Sequence, residues 1–288
     1  MNFPLTSMMC VFVAMCGAML AVYTLRRHSF RTAERARTLS AIVELRNLLE
    51  VFAQHRGLAN ALLNGDKTFS DKLRDTQIRI EAISGRLNQL LATTTEWQLI
   101  FRQWQSLASA VDSLGVEESF RRHCVLIDQV IRLMTSLCDA RDLWSGLSAA
   151  QRIVLQVAVT QIPLLIDTLG QARGLGSGAI VQHRVSAPVF VKLKFLSQQA
   201  QAMAAGADNQ LNVLSKVLND ELATQRMKAQ RSTSHFLATI EQELLNKRAP
   251  DLASQLYFDA GSIAIADNLA LLNRLLEMAG HSLNRSAN

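Results

Sequence analysis

The chain has 288 residues, a formal net charge of +6, 49% hydrophobic residues, and only 4 prolines and 13 glycines. That length suffices for one large domain or two small ones with a substantial core. Turn punctuation this sparse argues against a sheet-rich fold and for helices.

Residues 1 to 25 contain no Asp, Glu, Lys or Arg, and the run from Met8 to Leu25 is almost wholly apolar. About 20 such residues cross a bilayer as a helix, so a transmembrane anchor with its basic juxtamembrane segment is expected over residues 1–29. A cleaved signal peptide fits less well, because no basic residue opens the segment and no small-residue cleavage site follows it. A lipoprotein signal ending at Cys16 fits poorly too, since Met15 precedes the cysteine and the apolar run continues. Arg26, Arg27, Arg31, Arg35 and Arg37 follow the segment and none precedes it. The positive-inside rule therefore places the body on the cytoplasmic side of the inner membrane, with a periplasmic body as the alternative. This basic arm suits a membrane surface. It lacks the interleaved aromatics that would favour nucleic acid, so no nucleic-acid partner is expected.

Eight helices are predicted after the anchor. The first runs from about Phe30 to Leu63, continues the membrane helix, and stops at Asn64-Gly65-Asp66. The second starts near Ser70 with the stripe Leu73, Thr76, Ile80, Ile83, Leu87, Leu90. A third carries Trp97, Ile100, Trp104, Leu107 and Val111, and a fourth runs from Glu117 to about Leu143. Short connections imply antiparallel neighbours and a first four-helix bundle over residues 30–145. Cys124 and Cys138 share the fourth helix at a separation of roughly 21 Å, too far for a disulfide, and read as small core residues. After Ser145-Gly146-Leu147-Ser148 the pattern restarts as a second four-helix bundle over residues 146–288. Helix five runs from about Ala150 to Arg184 with a kink at Pro163. Its uncharged stretch Ile153 to Ile166 is too short and too interrupted for a second span, and reads as a buried core helix. Helix six starts at Ala187-Pro188. Ala249-Pro250-Asp251 precedes helix eight, with its stripe Ile265, Leu269, Leu272, Leu276, Ala279, Leu283. The expected fold is thus all-α: an N-terminal transmembrane helix followed by two up-down four-helix bundles.

One motif occurs twice. Gln54-His55-Arg56-Gly57-Leu58 returns as Gln171-Ala172-Arg173-Gly174-Leu175, and upstream Leu48-Leu49-Glu50 aligns with Leu165-Ile166-Asp167. Leu45, Leu49, Phe52, Arg56, Ala59 and Leu63 share one helix face, as do Ile162, Ile166, Leu169, Arg173, Gly176 and Ile180. Both arginines fall on apolar stripes, where a guanidinium is costly unless something negative meets it. No acid shares either stripe at helical-neighbour spacing, which suggests a site for an external anion. A guanidinium fork suits a small oxyanion. Gly57 and Gly174 follow the arginines, and a glycine inside a helix costs roughly 1 kcal/mol against alanine, so a close approach is expected there. Asn60 and Ser177, at equivalent positions, offer neutral hydrogen bonds to the pocket.

These paired motifs resemble the arginine motifs of the nitrate- and nitrite-sensing (NIT) domain family, over roughly residues 35 to 285. The resemblance implies an all-helical fold of two four-helix bundles with an anion held between them. It also implies a role as a bacterial input module, as found in antitermination regulators, histidine kinases and chemoreceptors. It assigns anion binding to Arg56 and Arg173. Further arginines are usual in that family; Arg226, on a stripe with Leu222, Ala229, Thr233 and Phe236, and Arg231 are the candidates here. His55 departs from the arginine or glutamate often found beside the motif arginine.

No catalytic constellation appears. The histidines (His28, His55, His123, His183, His235, His281) are scattered without metal-ligand spacing. Gly174-Leu175-Gly176-Ser177-Gly178 lacks the preceding strand and the lysine of a phosphate loop. The expectation is a non-enzymatic, membrane-anchored sensor of nitrate or nitrite, without cofactor or metal, that contacts the bilayer. Without a kinase, cyclase or methyl-accepting segment in the chain, it would signal through a downstream protein or a homodimer. The competing reading is a membrane-tethered helical scaffold for protein interaction, whose arginines pair with acids from other helices and bind no anion.

Overall fold

A computed structural model describes the backbone of residues 5–214, 220–247 and 249–285, and within these the side chains from residue 15 onward except 17, 25, 28, 284 and 285. The described residues form helices and no strand. Helix α1 spans Leu5–Leu63, α2 Ser70–Leu90, α3 Thr95–Ala110 and α4 Val116–Ala140. Helix α5 spans Ala149–Val181, α6 Ala187–Asn212, α7 Asp220–Ile240 and α8 Ser254–Arg285. The boundaries follow local chemistry. Asp66 accepts the Thr68 backbone N–H at 3.1 Å in the turn after α1. Ser148 and Gln151 close a reciprocal capping box at the start of α5, which satisfies two of the orphan donors of the first turn.

The kink expected at Pro163 takes the form of a π-turn over Val157–Gln161. Proline has no N–H for the carbonyl four residues back, which is that of Val159. That carbonyl instead accepts the Thr135 hydroxyl of α4 at 3.3 Å, so the helix defect becomes a tie between helices. As expected for a core helix, 67% of the most apolar stretch of α5 is buried within the protein.

Helix α1 packs along α2 and α4, and α3 along α4. Helix α5 packs on α6 and α8, and α7 on α6 and α8. The two halves meet where α1 and α4 face α5, and where α1 faces α8. The larger core cluster crosses this boundary: Leu45, Leu49 and Phe52 of α1 belong with Trp104, Ile127 and Met134, and with Ile162, Ile166, Leu272 and Leu276. A second cluster, including Leu169, Ile180, Leu196, Phe236 and Tyr257, lies within the C-terminal half. Both duplicated stripes point inward as their periodicity demands; Leu45, Leu49, Phe52, Arg56, Ala59, Ile162, Ile166, Leu169 and Ile180 are all buried.

The expected anchor falls partly outside the described residues, namely residues 1–4 and the side chains up to 14. The backbone from Leu5 runs without interruption into the first helix of the body. Every described side chain from Met15 to Arg31 is exposed, including Met19, Leu20, Val22, Tyr23 and Phe30.

Candidate functional site

The two motif arginines come together where α1 and α4 meet α5 and α8. Arg56 is 3% exposed. Its Nη1 donates to Asp167 Oδ1 of α5 at 2.6 Å and to Cys124 Sγ of α4 at 3.3 Å. The Phe120 ring lies 5.3 Å from the guanidinium carbon. On its other flank Nη2 approaches the backbone of Gly170 so closely that a Cβ there would stand 2.9 Å away. Burial weighs most against the Arg56 cation, but the Asp167 carboxylate and Cys124 together outweigh it and raise the pKa above the ordinary arginine value.

The expectation that both arginines lack a counter-charge is therefore corrected at Arg56. The acid does not share its stripe; it reaches across from the other half of the duplication. Asp167 is itself buried, and its Oδ2 accepts from Gln171 one turn on at 2.8 Å. The first half repeats that local pair, with Gln54 donating to Glu50 at 3.3 Å. Glu50, however, is engaged by Arg46 of its own helix at 2.8 Å. The reciprocal bridge from Arg173 to Glu50 is thus absent, and the duplicated site is asymmetric.

Arg173 meets no carboxylate among the described residues. Its Nη1 donates to the Ser262 hydroxyl at 2.8 Å, and its guanidinium stacks over Phe258 at 4.5 Å. Burial, then repulsion from Arg56, lowers its pKa to about 10, so it remains charged at neutral pH. Lys192 of α6 places its amine 5.2 Å from the same Phe120 ring that flanks Arg56. Arg56 and Lys192 thus flank Phe120, and Arg173 lies near Arg56, with Asp167 bonded to Arg56 alone of the three, which leaves an excess of positive charge. That arrangement attracts anions from solvent.

The other expected pocket residues divide. Ser177, one turn beyond Arg173, is half-buried with its Oγ unpartnered, and Gly174 touches Phe120 at ordinary distance, 3.8 Å from an added Cβ. Gly57 does not line the site. It is exposed with open space around it, because it lies on the opposite face of α1 from the buried stripe. Asn60 is turned to Asn64, whose amide lies 3.5 Å from its Oδ1. Arg226 is held within the C-terminal half by Asp208 at 3.3 Å and by Asn212, and Arg231 is exposed; neither contacts the arginine pair.

His55 turns into the N-terminal half rather than toward the arginine pair. His123 Nδ1 donates to the Ser119 carbonyl at 2.7 Å, so its Nε2 accepts from His55 Nδ1, also at 2.7 Å. Burial lowers both pKa values, to about 3 for His55 and about 4 for His123, and both rings are neutral.

Sequence reasoning missed Asp167, Phe120, Lys192, Gly170, Tyr257, Phe258 and Ser262. Asp167 alone carried a signal, as the one charged residue between Ile153 and Ala172.

No protein-family model matches the chain, and no curated protein matches it in sequence. Among solved structures, that of the NasR transcription antiterminator superposes with a TM-score of 0.66 over 94% of this chain and 74% of its own, at 14% sequence identity. Identity that low establishes similarity of fold.

Proposed function

We infer that this chain is a membrane-anchored, non-enzymatic sensor module that takes up a small oxyanion, nitrate or nitrite, between two up-down four-helix bundles. The observation that carries this reading is Arg173. It is a largely buried cation without a carboxylate, set beside a second buried arginine from the equivalent position of the other half. Its Ser262 partner is neutral, so an incoming anion would supply the charge that the protein does not. Two separate lines support the same assignment. The doubled motif resembles that of the NIT family, which serves as an input module in antitermination regulators. The superposing structure belongs to a transcription antiterminator.

The anchor reading rests on the uncharged N-terminal run and on the exposed apolar side chains that α1 carries clear of the body. The basic residues after it favour a cytoplasmic body. Readout would pass along α1 to a partner protein or a second copy. Binding changes the conformational balance only if the anion prefers one arrangement of the bundles over another.

Calorimetry on the full chain in a mild detergent tests the reading. Heat should be released with nitrate or nitrite and be lost in Arg173→Ala. No heat, or heat unchanged by that substitution, ends it. The scaffold reading draws support from the Arg56–Asp167 bridge, which already ties one arginine internally. It requires that the chain bind no anion and that Arg56→Gln/Arg173→Gln leave partner binding intact.

A further inference from the structure

We propose that Asp167 is a resident counter-ion that competes with the ligand for Arg56, and so sets both the affinity and the direction of the response. The inference rests on the oxyanion reading above and concerns a residue to which that reading gives no part.

Three observations lead to it. First, the Arg56–Asp167 bond joins the two halves, α1 to α5, at 2.6 Å between side chains that are 3% and 6% exposed. A buried bridge of this kind is weak evidence for stability, because desolvation offsets much of the attraction. Second, the duplication does not require it. The equivalent acid, Glu50, keeps the equivalent glutamine contact but turns to Arg46. Arg173 of the C-terminal half is left without a carboxylate, while Arg56 of the N-terminal half is met by Asp167 reaching across from the C-terminal half. Third, Asp167 occupies only one edge of the Arg56 fork. Both Arg56 hydrogen bonds leave from Nη1, and among the described residues Nη2 and Nε find no hydrogen-bond partner. An anion held by Arg173 lies within the field of Arg56, since the two guanidiniums are close enough to repel one another.

A guest anion and Asp167 repel one another while drawing on the same guanidinium. Binding therefore loosens the carboxylate's hold on Arg56 and exchanges a covalently attached tie between the halves for a diffusible one. Ligand occupancy becomes a change in how α1 is joined to α5. The Gln171 amide, already bonded to Oδ2, retains the carboxylate as Arg56 turns to the guest.

The test compares the native full chain with Asp167→Asn, which keeps the shape and an acceptor oxygen but removes the charge. Nitrate is titrated at constant ionic strength with sodium chloride as balancing salt. Asp167→Asn should bind nitrate about tenfold more tightly or better, a gain of about 1.4 kcal/mol. If the native chain binds nitrate and the variant binds equally or more weakly, the competition is refuted while the oxyanion reading stands. If neither binds, both fall. Should Asp167→Asn fail to fold without nitrate, its unfolding midpoint should rise as nitrate is added. The neutral pair Arg56→Gln/Asp167→Asn should fold unaided and show a smaller rise. A midpoint indifferent to nitrate in the single variant, or an equal rise in both, overturns the proposal.

Discussion

Replacing Gly176 by alanine would drive a methyl group onto the Oη and Cζ atoms of Tyr257. Tyr257 has nowhere to retreat. It is fully buried, donates to the Ala172 carbonyl at 2.9 Å, and packs against Phe236 with ring centroids 5.2 Å apart. Overpacking a core costs about 1–3 kcal/mol, and leaving the phenol and its carbonyl unpaired adds about 1–3 kcal/mol. Against this stands the gain of roughly 1 kcal/mol that alanine brings to a helix interior. The net expectation is a loss of about 3 kcal/mol. Urea unfolding of the full chain, followed by circular dichroism, measures it. Gly57→Ala is the control, because nothing lies within 4 Å of a Cβ there, and it should stabilise by about 0.5–1 kcal/mol. The substitution at Gly176 should also weaken anion binding, since Tyr257 shares α8 with Phe258 and Ser262, both of which touch Arg173. A Gly176→Ala chain as stable as the native one, or a Gly57→Ala chain that loses as much, would refute the packing argument.

The buried histidines should make stability fall between about pH 6.5 and pH 4. The unfolded chain takes up protons near the ordinary value of 6.5, while His55 and His123 stay neutral down to about 3 and about 4. Stability is thus fully present above 6.5 and drains as pH falls, at up to about 2.7 kcal/mol per pH unit for two groups; His55→Phe/His123→Leu should flatten the urea midpoint against pH, and an unchanged slope would exclude the pair as its source. Thr135→Val should cost about 1–2 kcal/mol by leaving the Val159 carbonyl without its donor, again read from urea unfolding, where a neutral result would mean that the π-turn needs no outside help. Ser148→Ala should lose about 1 kcal/mol by opening the capping box, measured in the same way and expected to leave anion affinity untouched.

The helices were legible in the sequence because their apolar spacing is strongly periodic and their ends carry turn chemistry. Leu45, Leu49, Phe52 and Arg56 were placed on one face by spacing alone, and all four are buried. What spacing cannot reveal is which residue meets which across helices. Asp167 sits 111 positions from Arg56, and helical-neighbour reasoning looks only three or four residues away. The same blindness affected the glycines. Gly57 and Gly174 adjoin the arginines in sequence, yet tight approaches occur at Gly170, against Arg56, at Gly176, against Tyr257, at Gly261, against Arg173 and Phe236, and at Gly280, against Leu39. His55 occupies a motif position but faces His123 instead, because the residue before an arginine on a helix is rotated about 100° from it.

Helix α1 carries Arg56 near one end and the uncharged apolar segment at the other, with no proline between Leu5 and Leu63. From Leu25 to Arg56 the axis covers ~46 Å at ~1.5 Å per residue. An ångström of sliding, or a few degrees of roll, imposed at the guanidinium meets no hinge on the way. On the proposed reading, a partner gripping the far tip would be driven as by a shaft and receive displacement rather than a diffusing messenger.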